Sequence, residues 1–442
     1  MSEAARKRSR IVITGLGAVS PLGVGVRAFV RGLRAGSPGV RLLPEGVVGD
    51  RERKRIKSTA AACCWGFEPQ SVMSEADVRR LPRLVPMALA AAREAAAGLV
   101  GSGDASIDVE RSRKIGVVLG TGAGGIDFTL DQADVAYGPS AGPARQPSLW
   151  TITNATHGNL AGELSIRLGL RGHSWCVSTG CASSSDAIGM AMETLRSDRP
   201  GAPEAMVVIG ADAHVRWETL LGMELLKVIS TRRCETVEQA AAASRPFDAG
   251  RDGFILGEGA WAVVLEREAL ARERGARVLG EAMGYGATCD AFHRVRPEPD
   301  MAESARAMRM AVEDAGLSHR DVELIHYHGT STQVNDEAET RAVKLAFGDH
   351  APRLRGTSVK SMIGHPQGAC GAAAVVATLG ALAGLDGGTP FVPPTINLRE
   401  RDPACDLEYT ANAAVSARGD EVALVNCLAF GAKNSALVVR GA

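Results

Sequence analysis

Among the nine cysteines of the chain, Cys181 stands where a thiol could do chemistry. The run Ser174-Trp-Cys-Val-Ser-Thr-Gly-Cys181-Ala-Ser-Ser-Ser-Asp reads as a strand, a tight turn at Gly180 and a helix with apolar residues at Ile188, Met192 and Leu195. Cys181 then sits at a helix N-terminus, where unpaired N–H groups and the positive end of the dipole stabilise a thiolate and lower the thiol pKa. The same N–H groups can hold an oxyanion. A cysteine at an arbitrary position is more often a buried core residue, and a strand-turn-helix elbow does not decide the matter without a base.

Two later segments supply candidates. The strand Glu-Leu-Ile-His326-Tyr-His328 runs into Gly-Thr330-Ser-Thr332, followed by Asn335, Asp336 and Glu339. Alternation places His326 and His328 on one strand face and cannot choose between them, but the glycine after His328 marks a strand end, where sites form. His326 reads as a packed core histidine. A His-x-His zinc pair lacks a third ligand nearby. In Ser358-Val-Lys360-Ser-Met-Ile-Gly-His365-Pro-Gln-Gly-Ala, a second histidine follows Lys360 just before a helix of small residues that allows close backbone approach. Singly, Lys360 reads as a solvated lysine and His365 as a turn residue; their combination with Cys181 carries the weight.

Other spellings carry little. Gly120-Thr-Gly122-Ala-Gly-Gly125 matches the dinucleotide pattern, but no second strand with an acidic ribose ligand follows at the required distance. Gly138-Pro-Ser140-Ala-Gly142 spells a hydrolase elbow, yet lies between prolines with no strand before it and no helix after it. Adjacent Cys63 and Cys64 cannot form a C-x-x-C knuckle and no other pair has that spacing, so no metal site is expected.

The elements that must position these groups alternate between strand-like and helical runs: Ile11 to Thr14, Met87 to Val100, Ile115 to Leu119, Trp175 to Ser178, Met206 to Ile209 and Trp261 to Leu265. Such alternation predicts α/β architecture with helix-covered sheets. After Leu265 the rhythm restarts, with a strand through Gly284, a helix from Ala305 to Ala315 and the run Val322 to Tyr327, which suggests a pseudo-repeat. The division expected is a basic tail over 1–10, one half over 11–265 carrying Cys181, and a second over 266–442 carrying both histidines. At 442 residues, 45% apolar and 23% charged, with 50 basic residues against 50 acidic, the chain can bury a large core and has no global field to attract nucleic acid or membrane. No apolar run is long enough to span a bilayer, the N-terminus lacks a signal-peptide core, and scattered cysteines suit a reducing, cytoplasmic compartment.

Taken together, VITGLGAVSPLG, VSTGCASSSDAIG around Cys181, RPFDAGRDGFILGEGA, HGTST with Asn-Asp and Glu, VKSMIGHPQGACGA and NCLAFGAKNSALVV resemble the β-ketoacyl-[acyl carrier protein] synthase family, in order, from Arg10 to Arg440. The resemblance implies a thiolase-like fold of two similar halves in an αβαβα arrangement and a catalytic set of Cys181, His328 and His365. It implies decarboxylative Claisen condensation of a malonyl-carrier thioester with an acyl group held on Cys181. Lys360 would orient and polarise the site through Glu339 and Asp336. Cys181 and Phe430, with Gly431 in the gate, would form the oxyanion hole, and Thr330 and Thr332 would bind the phosphopantetheine arm. No cofactor of its own is implied.

The implied partners are an acyl carrier protein and either a second copy or a chain-length-factor paralogue. Arg79, Arg80 and Arg232 are expected to form the patch that receives the acidic carrier. The gate departs from the family's glycine-rich pattern at Ala429, Ala432 and Lys433, which predicts a stiffer loop, while Ala123 replaces a larger apolar residue beside the acyl tunnel and predicts room for extended chains. VSTGC and NDEAET look closer to ketosynthase subunits of bacterial type II polyketide systems than to fatty-acid elongation enzymes. A thiolase, with Cys427 as second cysteine, and a non-catalytic chain-length partner are the competing readings.

Overall fold

The computed structural model describes residues 9–43, 48–100, 107–138, 141–142, 145–197 and 199–442. Most of the expected basic tail, and Pro139 and Ser140 of the G-x-S-x-G spelling, lie outside the described residues. Arg10, assigned to that tail, is anchored: its guanidinium donates to Glu281 at 2.9 and 2.7 Å and to Glu268 at 2.8 Å.

Ten strands carry the framework: β1 (Ile11–Ser20), β2 (Ile115–Gly120), β3 (Ser174–Val177), β4 (Ala205–Asp212), β5 (Gly259–Arg267), β6 (Gly280–Cys289), β7 (Leu324–His326), β8 (Arg355–Thr357), β9 (Val422–Ala429) and β10 (Lys433–Gly441). Six helices pack on them: α1 (Leu84–Val100), α2 (His157–Leu168), α3 (Ser183–Arg196), α4 (Ala302–Asp314), α5 (Gln333–Phe347) and α6 (Cys370–Leu382).

The first five strands are ordered β3-β2-β4-β5-β1 and the second five β8-β7-β9-β10-β6. In each set three strands are parallel and two antiparallel strands follow. Strand for strand the two sets have the same order and pairing directions when numbered along the chain, so the restarted rhythm of the sequence is a repeated topology. Their edges join where Ile11–Ile13 of β1 pairs with Gly280–Ala282 of β6.

Alternation sorts the side chains. Val118, Met206, Val208 and Val263 face inward, with Leu324, Val425 and Val439, onto α3 and α6; Val117, Val207 and Val264 face outward under α1 and α2. Ile325, Leu424 and Val438 face α4 and α5 on the opposite side. The result is five layers, αβαβα, whose central layer is α3 and α6. All thirteen residues of α6 are buried, as a helix apolar on every side requires.

β1 is longer than the run read as Ile11 to Thr14, because its glycines are packing residues. A Cβ on Gly15 or Gly17 would stand 1.9 Å from the carbonyl oxygens of Ala95 and Ala91, so α1 lies directly on the strand backbone.

Candidate active site

β3 ends at Val177, and Gly180–Ala182 forms a single 3₁₀ turn that feeds into α3. Gly180 has φ 65°, a left-handed value that favours glycine. The turn is stitched from within: the Thr179 N–H donates to Ser183 Oγ at 2.9 Å, Ser183 Oγ donates to the Gly180 carbonyl at 2.6 Å, and Thr179 Oγ1 donates to Asp186 at 2.5 Å. Cys181 emerges at the helix N-terminus as expected, and is only 4% exposed.

The expected lowering of its thiol pKa is not what the surroundings give. Burial pushes the Cys181 thiol well above its ordinary value, and the neighbouring Cys370 adds to this; the Lys360 charge and the Phe430 backbone amide work against it. A thiol this enclosed is protonated at rest and needs a nearby acceptor for its proton.

His328 and His365 provide one. One ring nitrogen of each and the Cys181 sulphur all lie within 4.8 Å of one another. The two rings meet edge to face with centroids 5.2 Å apart, and Phe254 buttresses His365 at 5.2 Å. Burial, then the Lys360 charge, holds both imidazoles well below their ordinary pKa, so both are neutral and can each donate or accept a proton.

The choice between His326 and His328 is settled by where the strand stops. β7 ends at His326, so alternation no longer applies at His328, which lies in the following loop. His326 is in the core, its Nδ1 3.2 Å from Thr378 Oγ1, with its pKa pushed down to about 3 by burial and the Lys360 charge.

The His328 backbone is held from two sides. Glu339 accepts the His328 and Gly329 N–H groups at 2.7 and 2.8 Å, and the Asn426 amide donates to the same carboxylate at 2.6 Å. Lys360 Nζ donates to the His328 carbonyl at 2.6 Å. The expectation that Lys360 acts through Glu339 and Asp336 is therefore corrected: among the described residues it forms no ion pair with either and grips His328 directly. Asp336 instead accepts the Thr330 and Phe247 N–H groups at 3.0 and 2.9 Å. Burial raises the Asp336 carboxyl and pushes Glu339 up to about 7.

A cavity of about 330 Å³ opens onto Cys181, His328, His365, Thr330, Thr332 and Phe430. The threonine hydroxyls are hydrogen-bonded to each other at 2.9 Å. Phe430, Gly431 and Ala432 form the loop of the β9–β10 hairpin, which is tied to a neighbouring segment by Gly431 N–H to the Arg294 carbonyl and Asp290 N–H to the Ala432 carbonyl, both 2.8 Å. Ala432 sits at φ 63°.

Other expected residues are placed elsewhere. Ala123 is not among the residues lining the cavity; its N–H donates to Asp212 at 3.0 Å. Arg79 pairs with Glu75 at 2.5 Å, and Arg80 borders a separate groove with Trp150 and Asn154. Arg232 stands 3.5 Å from Asp252, a residue of the cavity itself. The three arginines thus form two surface features with different neighbours.

Two contributors escaped the sequence reading. Gln367 accepts from the Cys181 thiol at 3.5 Å; its signal was its place two residues after His365. Asp212, at the C-terminal end of β4, accepts from Thr121, Gly122, Ala123 and Gly368 and so clamps the two loops flanking the thiol. An acidic residue ending a buried strand was the available sign.

Two fused strand-and-helix repeats, with a buried thiol opening one central helix and two neutral imidazoles beside it, define a thiolase-fold condensing enzyme. The family described as "Beta-ketoacyl synthase, N-terminal domain" matches residues 8–271, and "Beta-ketoacyl synthase, C-terminal domain" matches residues 279–399. The chain belongs to the β-ketoacyl synthase family.

It is 34% identical over 439 residues to 3-oxoacyl-[acyl-carrier-protein] synthase 2 of Synechocystis sp., covering 98% of both chains, and 34% identical over 435 residues to the Coxiella burnetii protein of the same name, covering 98% of this chain and 99% of that one. Among solved structures it is similar to AntDE:AntF, a type II polyketide synthase acyl-carrier protein in complex with its ketosynthase bound to the hexaketide. There the TM-score is 0.85, with 30% identity, 99% of this chain and 100% of that chain covered. It also resembles the ishigamide ketosynthase/chain length factor, with TM-score 0.84, 31% identity and coverage of 98% and 100%.

Proposed function

We propose that Cys181 carries the acyl chain and that His328 and His365 drive decarboxylative condensation on it. The observation that carries this reading is the cluster of one sulphur and two neutral imidazoles within 4.8 Å at a cavity. In the first half-reaction the Cys181 sulphur attacks the acyl thioester of a carrier protein, its proton passing to a neighbouring imidazole. The bond from the acyl carbon to the carrier sulphur breaks, and the released carrier thiolate takes the proton. The N–H groups of Cys181 and Phe430 serve the tetrahedral oxyanion.

A malonyl thioester then enters with its phosphopantetheine arm against Thr330 and Thr332. As its carboxylate leaves as carbon dioxide, the electron pair passes into an enolate whose oxygen accepts hydrogen bonds from His328 and His365. The enolate carbon attacks the acyl group, the bond to Cys181 breaks, and the departing Cys181 thiolate takes a proton from solvent to return to the resting thiol. Lys360, Glu339 and Asp336 are positioning residues, holding the His328 loop. The half over 11–265 thus contributes the nucleophile and the half over 266–442 the imidazoles. Cys427 packs in the same buried cluster as Cys181, but the donor group around the Cys181 sulphur is completed by His328 and His365, which disfavours a thiolase.

The solved ketosynthases of polyketide systems support a type II polyketide or polyene pathway, while the names of the curated relatives favour fatty-acid elongation as the second reading. The acidic carrier is received near Arg232, beside the cavity. For the second subunit, β3 is the terminal strand of the sheet among the described residues, and Leu149, Ile152 and Ile166 are about three-quarters exposed or more nearby; a copy or a paralogue adding a strand there would cover them. All nine cysteines are free thiols, as a reducing cytoplasm would keep them. The test measures carbon dioxide release from malonyl-carrier and acyl loading in His328→Ala and His365→Ala. Each should still load, the remaining imidazole taking the Cys181 proton, and lose decarboxylation by about 10²-fold or more, the usual scale for one oxyanion donor. Full decarboxylation in both variants contradicts the assignment.

A further inference from the structure

The condensation chemistry uses one thiol, yet three meet at this point. Cys370 opens α6 and Cys427 lies on β9. The Cys370 sulphur is 4.0 Å from His328 Nδ1 and 4.0 Å from the Cys427 sulphur, and the three donor atoms all lie within 4.8 Å of one another. Each of the three residues is 3% exposed or less. Small buried thiols can be mere core packing, but packing does not require an imidazole nitrogen to be directed at a sulphur.

We propose that Cys370, Cys427 and His328 Nδ1 form a site for a thiophilic divalent d¹⁰ cation, zinc or cadmium, sharing His328 with the condensation site. The triangle is close to what such an ion needs. With metal–sulphur bonds of about 2.3 Å and metal–nitrogen bonds of about 2.0–2.1 Å, donors around one ion stand roughly 3.6–4.0 Å apart. The two separations from Cys370 already lie at the edge of that range, and the third, between His328 Nδ1 and the Cys427 sulphur, closes by a shift of up to about an ångström.

Binding releases the two thiol protons and forms two metal–sulphur bonds, while Nδ1 gives its lone pair and the ring proton stays on Nε2. The charges favour it: a dication between two thiolates adds no net charge to a buried place. The charged groups facing the thiols are Lys360, Asp212, Glu339 and Asp186.

The binding claim stands apart from the condensation reading. Its functional consequence rests on that reading: an ion fastened to His328 blocks decarboxylation while leaving Cys181 free to load.

The experiment is a cadmium titration of the reduced full-length protein carrying Cys181→Ala, followed by the ultraviolet thiolate-to-cadmium charge-transfer band. We expect stoichiometric binding with release of about two protons per ion. Adding Cys370→Ser or Cys427→Ser should weaken it by more than the roughly 10–100-fold that loss of an outer-shell partner costs. Equal affinity in those variants, or loss of binding from Cys181→Ala alone, overturns the site. X-ray absorption at the zinc edge of the wild-type protein requires no substitution: two sulphurs and one nitrogen in the first shell support it. One sulphur with two nitrogens, the Cys181, His328 and His365 set, refutes it.

Discussion

Glu339 offers a sharp test of how the His328 loop is held, through the variant Glu339→Gln. Complete burial pushes the carboxyl up from 4.5 to about 7, although the Gly329 N–H, the Asn426 amide and the His328 N–H all favour its ionised form. Between those two values the folded protein holds a proton that the unfolded chain has released. The stabilisation is therefore fully present below pH 4.5 and is lost as the pH rises to about 7, by about 3 kcal/mol at roughly 1.4 kcal/mol per pH unit. Glutamine cannot titrate, so it should remove this slope. It also turns an amide N–H toward a backbone donor, a constant offset of about 1–3 kcal/mol.

The assay is urea unfolding of wild type and variant at pH values from 5 to 8, taking the difference at each pH. Taking the difference cancels His328 and His365, whose depressed values lower stability as the pH falls. The variant should lose its disadvantage as the pH rises, with loading at Cys181 intact and condensation impaired. A difference that does not change with pH would show that Glu339 is ionised throughout, and the argument from burial would be wrong.

Two further outcomes follow from the gate and the surface. Ala432→Gly removes a left-handed strain of about 1 kcal/mol, so amide exchange across 430–433 should accelerate and loading of bulky acyl groups should quicken; unchanged exchange would show that the Asp290 and Arg294 contacts alone hold the loop. Arg232→Glu should raise the carrier KM by up to about fivefold, the scale of one exposed ion pair, with unchanged thiol reactivity, whereas Arg79→Glu should leave KM as it is; the reverse pattern would move the carrier to the groove at Arg80.

The sequence made the site's membership legible more readily than its electrostatics. Cys181, His328, Lys360 and His365 are each carried by a short motif whose turn or glycine marks a strand or helix end, and local patterns of that kind survive folding. The restart of the strand rhythm after Leu265 likewise foretold the repeated topology. What could not be read was set by contacts between distant segments. The rise of the Cys181 thiol comes from enclosure by α6, β9 and the Gln367 turn. Lys360 grips the carbonyl of His328 because both loops cross the same buried layer. β1 ran past Thr14 because Gly15 and Gly17, which look like breakers in one dimension, are where α1 lands. Arg79 and Arg80 were placed by their position in the family pattern and Arg232 was joined to them by its charge, and neither signal says which surface a side chain shares with another.

The central claim is that Cys181 is the acyl carrier, and intact-protein mass spectrometry after incubation with an acyl-carrier thioester tests it most directly. Wild-type protein should gain the mass of the acyl group, released by hydroxylamine and mapped to the peptide containing Cys181, and Cys181→Ala should gain none while Cys370→Ala and Cys427→Ala still load. Undiminished loading of Cys181→Ala, or an acyl group mapped to Cys370 or Cys427, would contradict the account.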